Sequence, residues 1–336
     1  MIPTPKRGKR GAKDGVFFKI KHEAVFCEKK AASIFDENGK KTKGADFCFS
    51  FSAIRGIVID MDGRRRLQLA ELAILKEVKT FFDDNGLRYV ALGGTLLGAV
   101  RHHGFIPWDD DVDVGLPRPD YERFLALAKE KYPQGGRFVL ESFTTDEGYP
   151  YYFSRVTDRS VTVTDRSATV EKKQPAWIDV FPLDGMPGGL KGKIHRIRLL
   201  YARMAFQYSR FDELVNVHLP HRPWYERVLI AIGKVIPVQK LFSTRKALLR
   251  LDRLLKKYDY ETSPYAVNFM GAGKFKEMHE RSVYDERAEY VFEDTTVMSV
   301  RDADKWLTQM YGDYMTPPKE EERNKHCTAV AEEETE

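Results

Sequence analysis

Hydrophobic and polar positions follow distinct patterns along the first quarter of the chain. Between residues 16 and 62, the runs VFFKI, EAVFC, ADFCFSF and IRGIVIDMDG predict a small antiparallel β element, with turns in DENGKKTKG. Apolar residues then recur at helical spacing from about Arg64 to Asp83, which predicts an amphipathic helix. Glu71 is the one polar residue on the apolar face of that helix.

Strand-like and helix-like patterns alternate through the middle of the chain. LRYVAL predicts a strand, GGT a turn into a short helix from Thr95 to Arg101, and DVDVGL a strand with one solvated face. A helix is predicted from Pro119 to about Tyr132, because proline favours the first helical turn. The runs RFVLESF, YYFSRVTD with SVTVTD, and AWIDVFPL predict three more strands.

The last third reads as mainly helical. A helical pattern with proline breaks extends from about Leu190 to Tyr260, AEYVFEDTTVMSV is β-like, and RDADKWLTQMYG predicts a final helix. These elements predict an α+β fold in which a mixed sheet is flanked by helices. The predicted parts are a disordered basic tail (1–15), a β accessory element (16–62), a catalytic core (63–189), a basic helical subdomain (190–318) and a charged tail (319–336).

Composition and charge narrow the range of partners. The chain has three cysteines and no CxxC pair, which argues against a disulfide scaffold and favours a cytoplasmic setting. No apolar run reaches the length of a membrane span, and the basic N-terminus lacks the apolar segment of a signal peptide. The stretch from Lys191 to Lys257 contains 16 Lys and Arg residues but only 4 Asp and Glu residues. This region suits a membrane surface, a phosphorylated glycan or a nucleic acid, although solvated helix faces account for it equally well.

Most of the candidate functional residues lie in one segment, GGTLLGAVRHHGFIPWDDDVDVGLPRP, residues 93–119. On a strand, Asp111 and Asp113 point to the same side, and Asp109 joins them if the strand begins that early. Carboxylates this close raise each other's pKa unless a cation lies between them, and Mg²⁺ or Mn²⁺ suits such oxygen ligands. Asp179 lies in an apolar strand pattern, where a charge is costly unless it is used, and it is the best candidate for a third carboxylate.

The glycine turn before the aspartates completes a candidate site. Gly93 and Gly94 let backbone N–H groups approach an anion, and a helix starting at Thr95 directs its positive end towards a phosphate. A phosphate turn followed about 16 residues later by a D-x-D strand is typical of metal-dependent phosphoryl or nucleotidyl transfer.

Two alternative roles for the aspartate cluster stay open on spacing alone. A calcium loop starting at Asp109 would place Val114 where glycine is required and Asp120 where glutamate is required. A solvated acidic turn is the second alternative. His102 and His103 are candidate metal ligands, but adjacent histidines at a turn are more often surface groups.

The segment GGTLLGAVRHHGFIPWDDDVDVGLPRPDYERF resembles the signature of the LicD family. The resemblance continues in YPYYFSRVTDRSVTV, WIDVFPLDGMP and MYGDYMTPP, and covers roughly Leu67 to Pro318. Members of this family include bacterial phosphocholine transferases that act on cell-surface glycans, and fukutin and fukutin-related protein share the signature. The resemblance implies a nucleotidyltransferase-like fold, a CDP-choline or CDP-alditol donor, a glycan or lipid-linked glycan acceptor, and CMP as the leaving product.

Carried over by position, the resemblance assigns roles to residues of this chain. Gly93, Gly94 and Thr95 would form the phosphate turn, and Asp111, Asp113 and Asp179 would bind metal and act in catalysis, with Asp179 a candidate to take the proton from the acceptor hydroxyl. Arg101 and Arg155 are candidates to hold phosphate oxygens in forked contacts. A choline head group would favour an aromatic box. The candidates for that box are Trp108, Tyr149, Tyr151, Tyr152 and Trp177.

Two other functions remain as hypotheses. The first is a true nucleotidyltransferase that releases pyrophosphate, and the second is a non-catalytic anion-binding module, for which the basic region is the only support. For the favoured transferase we expect no nucleic-acid partner, and peripheral contact of the basic region with the inner membrane face.

Overall fold

A computed structural model describes residues 48–165, 172–210, 243–320, 323 and 328–330. The chain divides into two compact units, residues 1–60 and 61–336. The helices are α1 (Cys48–Asp84), α2 (Gly93–His102), α3 (Arg118–Lys131), α4 (Gly189–Ser209), α5 (Thr244–Leu255), α6 (Arg281–Asp285) and α7 (Ala303–Tyr311). The strands are β1 (Val90–Ala91), β2 (Asp113–Pro117), β3 (Phe138–Glu141), β4 (Ser154–Asp165), β5 (Lys172–Met186), β6 (Tyr265–Val267), β7 (Met278–Glu280), β8 (Arg287–Phe292), β9 (Thr295–Val300) and β10 (Thr328–Val330).

The prediction of strands between residues 48 and 62 is wrong. This stretch forms the first part of α1, while the rest of the expected β element, residues 16–47, lies outside the described residues. The apolar positions Phe51, Ile54 and Val58 are also three and four residues apart, and a short apolar run does not by itself distinguish strand from helix. The helical pattern that follows it therefore extends further back than we expected.

The central sheet has the mixed architecture that the sequence predicts. Its main path runs β1-β2-β5-β4-β10; β3 also pairs with β4, and β6 joins β5 to β7. The β2–β5 pair is parallel, whereas the other pairs in this sheet are antiparallel. The parallel pair matters for function, because it sets β2 and β5 side by side and running in the same direction.

Helices α1 and α3 cover one face of the sheet. Leu67, Ile74 and Phe82 of α1 are fully buried in one cluster with Phe124 of α3 and with residues of β2, β4 and β5. The rings of Phe82 and Phe124 meet edge to face at 5.6 Å between centroids. Burial of this apolar face, at roughly 25 cal/mol per Å², is the main force that holds the helices on the sheet.

Local sequence signals explain where several helices begin. Helix α3 has a proline in its first turn, where a missing N–H group costs nothing. The Asp302 side chain caps α7 by accepting a hydrogen bond from the Lys305 N–H group at 3.1 Å. This cap fixes the start of the helix that carries Tyr311 to the cavity described below.

The C-terminal region contains more β structure than the helical subdomain that we expected. Helices α4 and α5 agree with part of the helical pattern, but residues 211–242 lie outside the described residues. The predicted β-like stretch forms the hairpin of β8 and β9. Strands β6 and β7 were not predicted, because three residues are too few to show an alternating pattern. Within the described residues, no helix has the length and apolar character needed to cross a bilayer.

Candidate active site

The glycine turn lies directly against the aspartates. Gly93 has a φ of +52°, a left-handed conformation that side chains disfavour. A Cβ atom on Gly93 would lie 3.2 Å from Asp113 Oδ2, and one on Gly94 would overlap Asp109 Oδ2. Two glycines are therefore needed so that the backbone can turn into α2 while these carboxylates stay beside it.

Thr95 connects the turn to β2. Its hydroxyl oxygen accepts a hydrogen bond from the Asp113 N–H group at 2.9 Å, and the Leu92 N–H group donates to the Asp113 carbonyl at 3.0 Å. Thr95 is buried, with 3% of its surface exposed. The structure thus places Thr95 where it fixes Asp113 relative to the glycine pair.

The aspartates alternate in burial, although β2 itself begins only at Asp113. Asp109, Asp111 and Asp113 are partly exposed, whereas Asp110 and Val112 between them are buried. Gln68 of α1 holds this segment by donating to the Ile106 and Asp109 carbonyls at 3.2 and 2.9 Å. We infer that α1 and the sheet together present the three aspartates on one side.

Asp179 lies next to Asp113 across the parallel strands β2 and β5, so the structure places the candidate third carboxylate beside the aspartate cluster. In a sheet, paired residues on adjacent strands point to the same face. Arg155 of β4 is the partner of Asp179 on its other side and donates from Nε to Asp179 Oδ1 at 2.7 Å. The row Arg155–Asp179–Asp113 was not predicted, since it depends on the order of three strands.

Negative charge is poorly compensated at this edge. Burial raises the pKa of Asp113 well above its ordinary value, and the charges of Asp111, Asp179 and Glu277 raise it further. The pKa of Asp109 is raised by burial and then by Asp111 and Asp110. A cation bound here would relieve this repulsion.

The donor atoms fit a hard divalent cation. Carboxylate oxygens are the ligands that Mg²⁺ and Mn²⁺ prefer. Both carboxyl oxygens of Glu71, which is fully buried, lack a hydrogen-bond partner, and burial and the charges of Asp111 and Asp110 raise its pKa well above the ordinary value. Among the described residues, no group of three acidic, His or Cys side chains is arranged closely enough to hold a metal ion. Asp111, Asp113 and Asp179 would therefore have to move closer together to bind one.

A cavity of about 360 Å³ opens in front of the glycine turn. One part of the lining carries Gly93, Gly94 and the three aspartates. A second part, the far wall, comes from much later in the chain and is formed by Asn268, Gly271, Ala272 and Glu277. Trp108, Tyr311 and Arg323 also line it. Its volume is in the range of small-molecule sites.

Two arginines bring positive charge to Trp108, which lines the cavity. The Arg101 and Arg323 guanidinium carbons lie 5.9 and 4.6 Å from the centroid of the Trp108 ring. Arg101 also donates to the Tyr314 carbonyl at 2.6 Å, and His102 meets Trp108 edge to face. The structure thus brings Arg101 and Trp108 together, whereas Arg323 was missed because it follows the last recognised motif.

The five aromatic residues proposed for a choline box do not surround one space. Trp108 lines the cavity, but Tyr151 and Trp177 pack on the Arg155 guanidinium, at 4.3 and 4.6 Å from their centroids. The Tyr152 hydroxyl donates to Asp252 at 3.0 Å. The structure therefore places Arg155 in a buried pair with Asp179, between aromatic rings, rather than among the residues that line the cavity.

Glu277 and Asn268 are the main site residues that the sequence motifs did not indicate. They lie on the far wall, and no recognised motif contains them. Tyr311 belongs to the MYGDYMTPP segment, so the resemblance could have drawn attention to it.

Residues 86–188, which include the glycine turn and the aspartates, match the family model described as LicD/FKTN/FKRP, nucleotidyltransferase domain. The chain is 28% identical over 272 residues to the lipopolysaccharide cholinephosphotransferase LicD of Haemophilus influenzae, a match that covers 78% of this chain and 95% of that enzyme. The resemblance to the LicD family that the sequence motifs indicated is thus confirmed by the family model over residues 86–188.

Two further relatives match shorter segments. An uncharacterized protein of Rickettsia prowazekii is 42% identical over 119 residues, 28% of this chain and 44% of that protein. The human ribitol 5-phosphate transferase FKRP is 61% identical over 31 residues, 9% of this chain and 6% of that enzyme. The likeness to FKRP is therefore confined to one short segment.

Proposed function

We propose that the chain is a metal-dependent transferase. It would move phosphocholine, or a related phospho-alditol, from a CDP-linked donor to a hydroxyl of a cell-surface glycan and release CMP. The observation that carries the proposal is the position of Asp113, which lines the cavity beside the Gly93–Gly94 turn and pairs with Asp179 across the parallel strands. Close carboxylates beside backbone N–H groups at a helix start suit a metal-bound diphosphate.

Each part of the wall has a role in this scheme. Asp111, Asp113 and Asp179 would hold Mg²⁺ or Mn²⁺, which neutralises diphosphate charge when bound. The glycine pair would admit the diphosphate against the start of α2, and Thr95 would keep Asp113 in register with it. Arg155 would orient Asp179 through their hydrogen bond.

Arg101 and Arg323, which lie beside Trp108, favour an anionic donor. Arg101 and Arg323 would contact phosphate oxygens, because guanidinium groups match such oxygens in forked contacts. Burial and the nearby positive charge of Arg323 lower the pKa of Arg101, so an anion between them would also relieve like-charge repulsion.

Choline is the favoured head group. The relative whose length this chain nearly spans is named a cholinephosphotransferase, whereas the match to a ribitol phosphate transferase covers only 31 residues. Within the cavity, Trp108 and Tyr311 offer aromatic faces for a quaternary ammonium group. An alditol does not require an aromatic box. Comparison of the CDP-linked donors in the experiment below distinguishes the two kinds of head group.

The acceptor side of the proposal includes contact with a membrane. In α4, five exposed large apolar residues form one stripe, while Leu199 and Phe206 are buried. The stripe consists of Leu190, Ile194, Ile197, Tyr201 and Met204. These positions are three and four residues apart, and the helix contains no acidic residue. A basic helix with an exposed apolar face suits an anionic lipid surface, where lipid-linked glycans are presented.

The deciding experiment is incubation with CDP-choline, CDP-ribitol or CDP-glycerol, each with Mg²⁺ or Mn²⁺ and a glycan acceptor. We expect CMP from CDP-choline, with labelled phosphocholine on the glycan. Asp113→Asn should abolish the release of CMP, and Asp84→Asn, at an exposed position near the end of α1, should not. Release of pyrophosphate from a nucleoside triphosphate would instead support the nucleotidyltransferase, and the absence of either product would support a binding module.

A further inference from the structure

Glu277 is a carboxyl group in the lining of the same cavity as the aspartates. It ends a short 3₁₀ turn, Lys274–Glu277, lines the cavity and has 3% of its surface exposed. A carboxyl group so deeply buried usually requires a specific reason, because desolvation penalises its charged form.

Neutral donors hold the carboxyl group in one orientation. Glu277 Oε2 accepts a hydrogen bond from Asn268 Nδ2 at 2.9 Å, and Oε1 accepts one from the Gly273 N–H group at 3.0 Å. The Gly271 N–H group donates in turn to Asn268 Oδ1 at 3.1 Å. A Cβ atom on Gly271 would overlap Glu277 Oε1, so this glycine leaves the space in which the carboxylate lies.

Burial and the surrounding groups bring the pKa of Glu277 close to neutrality. Burial raises its pKa to about 7, while its two hydrogen bonds and the positive charge of Arg203 on α4 act in the opposite direction. Its other titratable neighbours are Asp113 on β2, Tyr311 on α7 and Tyr284 on α6. A proton acceptor works best when its pKa is close to the working pH.

Asp179, our sequence-based candidate for the proton acceptor, is less suited to that role. Its Oδ1 atom already accepts the hydrogen bond from Arg155 at 2.7 Å. A proton arriving on Asp179 would leave the buried Arg155 charge without its counter-charge, which is costly. The Glu277 carboxylate, by contrast, is held by an amide and a backbone N–H group, and neither of these donors carries a charge.

We propose that Glu277 is the general base that takes the proton from the attacking hydroxyl of the acceptor. This assignment rests on the proposed function. The hydroxyl oxygen forms a bond to the distal phosphorus of the donor as its proton passes to a Glu277 carboxylate oxygen. The bond from that phosphorus to the bridging oxygen breaks, its electron pair leaves with CMP, and Glu277 later returns the proton to solvent. The acceptor thus enters from the Asn268–Glu277 wall, and the diphosphate lies on the aspartate wall.

The test compares Glu277→Gln with Glu280→Gln in the full chain, with CDP-choline, metal and a glycan acceptor. Glu280 is exposed and only three residues away, which makes it a matched control. Loss of a general base typically lowers the rate by about 10²–10⁴-fold. We expect that loss in kcat for Glu277→Gln, with KM for the donor and Mn²⁺ affinity unchanged, and loss of the acidic limb of the kcat pH profile.

A second variant, Asn268→Ala, tests the assignment even if Glu277→Gln does not fold. Asn268→Ala removes a donor that favours the charged carboxylate, so the acidic limb of the kcat profile should move to higher pH. An active wild type with Glu277→Gln within threefold of it would overturn the assignment and leave the proposed function standing. Loss of Mn²⁺ affinity in Glu277→Gln would make Glu277 a metal ligand and also overturn it. A wild type that releases no CMP from any donor would overturn the proposed function, and the assignment with it.

Discussion

Replacing Gly93 with alanine tests whether the glycine turn serves the chemistry or only the fold. Gly93 and Gly86 both have left-handed backbones, with φ of +52° and +58°. A Cβ atom on Gly86 would meet nothing within 4 Å, whereas one on Gly93 would lie 3.2 Å from Asp113 Oδ2 and 3.8 Å from the Tyr311 hydroxyl. Gly86→Ala therefore measures the backbone cost alone, and Gly93→Ala adds a methyl group between the turn and the carboxylates.

The backbone cost of a left-handed alanine is about 1–2 kcal/mol. Each kcal/mol lowers Tm by roughly 2–4 °C in a protein of this size class. Both variants should therefore unfold a few degrees below the wild type. A contact of 3.2 Å needs only a small shift of Asp113, so Gly93→Ala should be at most slightly less stable than Gly86→Ala.

Activity should separate the two variants. Under the proposed function, the added methyl group would lie where the diphosphate approaches the backbone, and a displacement of about 1 Å at a reacting centre can cost on the order of 100-fold. We expect kcat/KM for release of CMP to fall by that amount in Gly93→Ala and by less than twofold in Gly86→Ala, with Tm measured on the same samples. Wild-type activity in both variants would refute the role of the turn, and equal losses would trace the effect to stability.

Three more variants probe other parts of the molecule. Asp111→Asn should abolish turnover with the fold intact, as judged by circular dichroism; a rate near that of the wild type in Mg²⁺ or Mn²⁺ would contradict the metal assignment. Burial lowers the pKa of His195 from 6.5 to about 4, so the unfolded chain binds the proton first and stability should fall as pH drops from about 6.5 to about 4. Urea unfolding at pH 7 and pH 5 should show a smaller loss in His195→Phe than in the wild type, and an equal loss would exclude this histidine. Ile197→Glu should weaken co-sedimentation with vesicles that contain anionic lipid, while Lys129→Glu, on α3, should not; binding unchanged by Ile197→Glu would exclude the α4 stripe.

The aspartates could be placed from sequence because their arrangement is local. Alternation along one segment decides that Asp109, Asp111 and Asp113 share a side, and the structure shows that alternation in their burial although regular pairing begins only at Asp113. Asp179 was proposed as a third carboxylate because a charge in an apolar strand is costly unless it is used. That β2 and β5 are neighbours, which brings Asp179 next to Asp113, was not part of that prediction.

The far wall could not be predicted because this single segment, residues 268–277, lies far along the chain from the aspartates. Glu277 reaches the cavity through β6, β7 and the turn between them, and these strands are too short to leave a pattern in the sequence. The pairing of Arg155 with Asp179 likewise depends on the order of β4 and β5 in the sheet. The helix over residues 48–62 shows the reverse problem, where a local pattern was present but consistent with two structures.

Strand β5 carries two buried aspartates, and their surroundings differ in a way that bears on function. Asp184 accepts two hydrogen bonds from Arg118, at 2.7 and 2.8 Å, so burial raises its pKa while that charge lowers it. Asp179 shares its neighbourhood with Asp113, whose pKa is raised both by burial and by other carboxylates. Both aspartates therefore pair with an arginine, but Asp179, which accepts a hydrogen bond from Arg155 at 2.7 Å, also lies beside the uncompensated charge of Asp113. Such crowding opposes folding, and under the proposed function a bound cation would offset it.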